Sequence, residues 1–148
     1  MAGQPIVVGT DGSATAGSAV EKAGELAVAL KVPLYVVMSY KLVASSASLA
    51  AAGGVYVDPL VANEGASSHA ESLVARAADR LKDARVTVIP RVCAGEASDS
   101  LIAVAEEVGA QMIVVGNKGM VGARRVLGSV PNRVSHHAPC CVLIVQTC

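Results

Sequence analysis

Short apolar runs alternate along the chain with stretches of amphipathic spacing. Ile6-Val7-Val8, Leu34 to Met38, Val86 to Val92, Met112 to Val115 and Val142 to Val145 are too continuous for strands with one wet face. Such runs predict parallel strands buried on both sides. Between them the apolar period changes from two to nearly four. Val20, Ala23, Ala27 and Leu30 share one helical face, with Glu21, Lys22 and Glu25 largely off it. Ala70, Leu73, Val74, Ala77 and Leu81 repeat at three and four, as do Leu101, Ala105 and Val108, which leave Glu106 and Glu107 outside. A shorter fourth helix is expected to start near Ser129, with Pro131 tolerated in its first turn and Pro139 closing the segment.

The predicted order is β-α-β-α-β-α-β-α-β, which requires a parallel sheet covered by helices on both faces and joined by right-handed crossovers. Residues 41–61 break this rhythm: Ser45 to Gly54 is almost entirely Ser, Ala, Leu and Gly, and Asp58-Pro59 follows. A mobile loop is expected there, serving either as a lid or as an inert surface insertion. With 148 residues, one domain over 1–148 is expected, enough to bury about 68–70% of the unfolded surface.

Composition narrows the choice of partners. Hydrophobic residues make up 53% of the chain and charged residues 16%, which excludes a disordered or highly charged tail protein. The aromatic residues are Tyr35, Tyr40 and Tyr56 alone, too few rings to stack successive bases, so no nucleic-acid partner is expected. The start, MAGQPIVVG, has no basic region ahead of a long apolar segment, and no window approaches about 18 uninterrupted apolar residues. A cytoplasmic protein with no membrane partner is expected. Cys93, Cys140, Cys141 and Cys148 show neither a CxxC pair nor zinc-ligand spacing and read as buried or incidental thiols.

The formal net charge of zero conceals an asymmetry. Beyond Glu107 no acidic residue remains, while Lys118, Arg124, Arg125 and Arg133 follow, with His136 and His137 beside them. This end suggests a local anion site, or else a solvated cationic face. Within it lies half of a weak internal repeat: Ile6 to Gly12 and Ile113 to Gly119 share the pattern IVVGxxG. Each copy ends a strand with two glycines, which let a ligand approach the main chain closely. If the first and fourth strands are central neighbours, both turns border the crevice where ligands bind in a doubly wound sheet. After the second turn come Gly122, Arg124 and Arg125, and Gly128-Ser129 then opens the short helix, whose N-terminus attracts phosphate. Ser129 as a plain N-cap is compatible with that role. Neither GxxxxGK[ST] nor GxGxxG is present.

IVVGTDGS at the amino end, VVGNKG with Gly128-Ser129, the following VPNRVSHHAPCCVLIV and the βα order together resemble the universal stress protein family, specifically its nucleotide-binding branch, over essentially the whole chain. The branch pattern places nine residues between its second glycine and Gly-Ser or Gly-Thr; here eight, Met120 to Leu127, separate Gly119 from Gly128. The resemblance implies a doubly wound five-stranded parallel α/β sheet of strand order 3-2-1-4-5. It implies that Gly116, Gly119, Gly128 and Ser129 hold phosphate, flanked by Asn117, Lys118, Gly122, Arg124 and Val130. It puts Asp11, beside Gly9 and Thr10, near the ribose or a phosphate-bound Mg²⁺. Asp11 capping the turn with Ser13 is the alternative. Backbone around Met38 and Ser39, with Val92, would border the adenine, and Gly95, in the turn after the third strand, would line the pocket too. The implied ligand is ATP, with AMP or cyclic AMP as alternatives.

His136-His137 is a poor metal pair, because adjacent helix positions point about 100° apart and no third ligand is evident. Cations at a helix C-terminus account for it better. No nucleophile with a paired base and no glutamate beside the glycine loop stands out, so any ATP hydrolysis is expected to be slow. The expected function is regulation of a stress response by nucleotide binding, as a homodimer through Val142 to Val145. The alternatives are a slow nucleotide hydrolase or an interaction protein without nucleotide.

Overall fold

Strand β1 (Ile6–Gly9) occupies the middle of a five-stranded sheet in a computed structural model of the chain, which describes residues 3–42, 58–117 and 129–147. It pairs in parallel with β2 (Leu34–Tyr40) on one side and β4 (Met112–Gly116) on the other. β3 (Val88–Ala94) lies beyond β2 and β5 (Cys141–Val145) beyond β4, both again parallel. The order β3-β2-β1-β4-β5 is the one the sequence resemblance implies. Four helices are present among the described residues: α1 (Ala14–Leu30), α2 (Pro59–Asp79), α3 (Ala97–Val108) and α4 (Ser129–His137).

The alternation of side chains along each strand divides the core in two. Ile6 and Val8 of β1, Leu34, Val36 and Met38 of β2 and Val114 of β4 pack beneath α1 and α2, against Val20, Ala23 and Val74. Val7, Val37, Ile113 and Val115 point the other way, beneath α3 and α4, against Leu101, Val104 and Val134. Continuous burial therefore describes the three inner strands. The edge strands β3 and β5 are only partly buried, because each has a sheet neighbour on one side alone. Pro90 fits that position, since an edge strand tolerates a residue without an N–H.

Several boundaries differ from those expected. β3 begins at Val88, because Val86 closes a turn through a bond from its N–H to Ala84 O at 2.8 Å. Leu30 is exposed, since α1 ends there. Lys31 adopts the left-handed conformation, its N–H reaching back to Ala27 O and Val28 O, and Val32 takes the buried place. α2 starts at Pro59, so the irregular stretch expected over 41–61 is helical at 59–61; residues 43–57 lie outside the described residues. Asp58 caps that helix by accepting from Leu60 N at 2.9 Å, and Pro59 gives up no bond at the first position. α2 stops at Asp79, leaving Leu81 buried in the following turn.

Arg91 of β3 makes a two-pronged pair with Glu107 of α3 at 3.0 and 3.2 Å, which holds the Glu107 carboxyl below its usual range. Glu107 is largely exposed and Arg91 partly so, so the pair positions the elements and adds little stability. Cys93, Cys140 and Cys141 are free thiols; burial pushes the first two up, away from the reactive thiolate. No helix among the described residues is long and apolar enough to cross a membrane.

Replacing Asp58 by Ala removes the α2 cap and is expected to lower stability by about 1 kcal/mol in urea unfolding. Asp58→Asn should retain most of it. An unchanged midpoint in the Ala variant would place the helix start elsewhere.

Candidate functional site

β1 and β4 are neighbours, yet the chain leaves them on opposite faces, through α1 and α4 respectively. Where the winding reverses, neither helix covers the strand ends, and a crevice opens outside their carboxyl termini. A cavity of about 240 Å³ lies there. Gly9, Thr10 and Asp11 after β1 and Val115 and Gly116 of β4 line it, with Val37 and Ser39 of β2. Thr15 and Ala16 of α1, Ala97 and Leu101 of α3, Ser129, Val130 and Pro131 of α4, and Thr147 complete it.

The β1–α1 turn is tied by its own short side chains. Thr10 N donates to Val37 O at 3.0 Å, extending the β1–β2 ladder by one rung. Gly12 N donates to Thr10 Oγ1 at 3.1 Å, and Ser13 N to Asp11 Oδ1 at 2.9 Å. Ser13 in turn caps α1 by accepting from Ala16 N at 3.2 Å. The turn requires φ of 81° at Gly12, where the Leu73 side chain of α2 leaves little space for a Cβ. The alternative role of Asp11, capping the turn with Ser13, is thus seen directly, and its side chain stays exposed at the cleft.

Three helix N-termini meet at the cleft: Thr15 and Ala16 from α1, Ala97 from α3 and Ser129 to Pro131 from α4. Each brings the positive end of a helix dipole, a surrounding suited to an anion. In α1 the Ala16 N–H is already held by Ser13, whereas the first turn of α3 has no side-chain cap, since Glu96 makes no such bond. Val37, Leu101 and Val115 form an apolar wall beside these helix ends. Arg133, counted among the cations of this end, is paired with Asp99 of α3 at 3.0 Å and joins the two helices. The arrangement can hold a flat apolar group against one wall and an anion against the helix ends.

Of the residues singled out in the sequence, Gly9, Thr10, Asp11, Ser39, Gly116, Ser129 and Val130 come together in this cleft. Met38 and Val92 do not line it; they are partners across β2 and β3, and both side chains pack toward α1 and α2. Gly95 also stands apart, its N–H bonded to Tyr40 O at 2.8 Å. Asn117 is buried behind the lining, engaged with Thr147. Lys118, Gly119, Gly122, Arg124 and Gly128 lie outside the described residues. Sequence reasoning missed Thr15, Ala16, Val37, Ala97, Leu101, Val115, Pro131 and Thr147. Val37 and Val115 follow from alternation once the face bearing the cleft is known. Thr147 carries no sequence signal.

The sequence pattern of the universal stress protein family matches residues 3–146. The chain belongs to that family. The universal stress protein Rv1636 of Mycobacterium tuberculosis is 36% identical over 149 residues, covering 96% of this chain and 95% of its own. Among solved structures, a universal stress protein in complex with cAMP superimposes with a TM-score of 0.76 at 30% identity, covering 100% of both chains. A universal stress protein from Lactobacillus plantarum, 19% identical with 99% of each chain covered, has a TM-score of 0.78 and shares the fold.

Gly12→Ala in this family member should cost about 1–2 kcal/mol, the penalty of a side chain in the left-handed region. Urea unfolding measures it; a neutral substitution would mean that the β1–α1 turn does not require positive φ.

Proposed function

We propose that this universal stress protein binds an adenine nucleotide in the cleft between β1 and β4, and that occupancy regulates a stress response. The observation that carries this is the meeting of three helix N-termini and an apolar wall at the switch point of the sheet. The relative in complex with cAMP, similar over its whole length, supports the adenine ring as the flat group. ATP is the favoured ligand, because the family pattern supplies Gly119, Gly128 and Ser129, with Lys118, Gly122 and Arg124, for several phosphates. Met38, Val92 and Gly95 contribute at most through backbone. Cyclic AMP is the second reading, favoured by that same relative. Asp11 would serve the ribose, or a phosphate-bound Mg²⁺, which commonly takes one or two carboxylates and leaves its other positions to phosphate and water.

A ligand at about 100 times its Kd adds roughly 2.7 kcal/mol to stability. For a chain of this length the melting midpoint should rise by about 5 °C or more. Thermal unfolding with millimolar ATP, ADP, AMP and cyclic AMP in turn measures it. No rise with any of them contradicts the proposal.

Pairing of β5 with its copy in a second chain is the proposed assembly. β5 is an apolar edge whose outer backbone groups face no strand of the same chain. Val145 O is bonded inward, to Asn117 N at 2.9 Å, so the outward groups belong to the alternate residues Val142 and Ile144. Light scattering at tens of micromolar should give a dimer, and Ile144→Pro, which removes an outward N–H, should shift it toward monomer. A monomeric wild type removes this part and leaves the cleft untouched.

A further inference from the structure

Thr147 stands two residues beyond β5 and one beyond the family match, yet it lines the cleft. Its place is set by the end of β4. Asn117, only 5% exposed, accepts through Oδ1 from Thr147 N at 2.8 Å and from Thr147 Oγ1 at 2.9 Å. Asn117 N donates to Val145 O at 2.9 Å, so one residue grips the chain on both sides of Gln146. Gly116 supplies the room: a Cβ there would stand 3.1 Å from Thr147 Cγ2, closer than ordinary contact. A carboxamide oxygen can only accept, so the Thr147 hydroxyl donates its proton to Asn117 and keeps acceptor capacity alone.

We propose that Thr147 is a ligand-contacting residue of the cleft and that Asn117 is its positioning residue. The oxygen and methyl of Thr147 form a preset wall, and its order depends on the Asn117 carboxamide. A ligand group facing that oxygen has to be a hydrogen-bond donor, such as a ribose hydroxyl or an exocyclic amine. This rests on the nucleotide-binding function proposed above.

Isothermal titration of the full chain with ATP, and separately with cyclic AMP, tests it. For whichever nucleotide binds the wild type, Asn117→Ala should weaken binding about tenfold. Thr147→Val, which keeps the shape and loses the oxygen, should weaken it about three- to tenfold, the effect of one hydrogen bond. Thr147→Ser, which restores the oxygen, should bind within about twofold of wild type. A purely structural tail would lower the melting midpoint of these variants and leave the affinity of the folded protein unchanged. Wild-type affinity in Thr147→Val, or an equal loss in Thr147→Ser, overturns the role of Thr147 while the nucleotide site stands. A wild type that binds neither nucleotide overturns both.

Discussion

A parallel sheet has to be covered on both faces, and β1 is the strand on which that constraint falls hardest. Ile6, Val7 and Val8 are wholly buried, alternately under α1 and α2 and under α3 and α4. Because α1 and α4 leave neighbouring strands toward opposite faces, the ends of β1 and β4 stay uncovered. The crevice is a consequence of packing the core. Its lining is then set by whatever lies at the strand ends and helix starts, which is why small residues and helix N-termini dominate it.

The rim is held by the same backbone ladder that makes the sheet. Just past β1, β3 and β4, Thr10, Gly95 and Asn117 each donate one further rung, to Val37 O, Tyr40 O and Val145 O. These bonds satisfy backbone donors that would otherwise be lost at the strand ends. At β1 and β4 they also tie the β1–α1 turn, Gly116 and the tail past β5 to the sheet as parts of the floor. The described part of the site is held by these bonds before any ligand arrives, which lowers the ordering cost of binding.

Much of this was legible in the residues. The strand and helix order followed from the change of apolar period, a local signal. The paired IVVGxxG turns pointed to the crevice only with the strand order that the family resemblance implies, because strand adjacency is not local. The start of α2 was legible too in Asp58-Pro59, a cap followed by a residue suited to the first helical position, although the Ser-, Ala- and Gly-rich run before it favours a loop. Which side chains of β2 meet the cleft was beyond reach: Val37 lines it and Met38 does not, because that depends on where α3 packs. The pairing of Arg133 with Asp99 brings together residues far apart in sequence, and Asn117 with Thr147 likewise. No periodicity reports such contacts.

The central claim is that an adenine nucleotide occupies the crevice between β1 and β4. Amide chemical-shift mapping of isotopically labelled protein during an ATP or cyclic AMP titration tests it most directly. Occupancy there predicts saturable shifts at Gly9 to Ser13, Ser39, Ala97, Gly116, Asn117, Ser129 and Thr147, with α2 and the outer edge of β3 quiet. Shifts centred on α2 and β3, or none at saturating nucleotide, would contradict it.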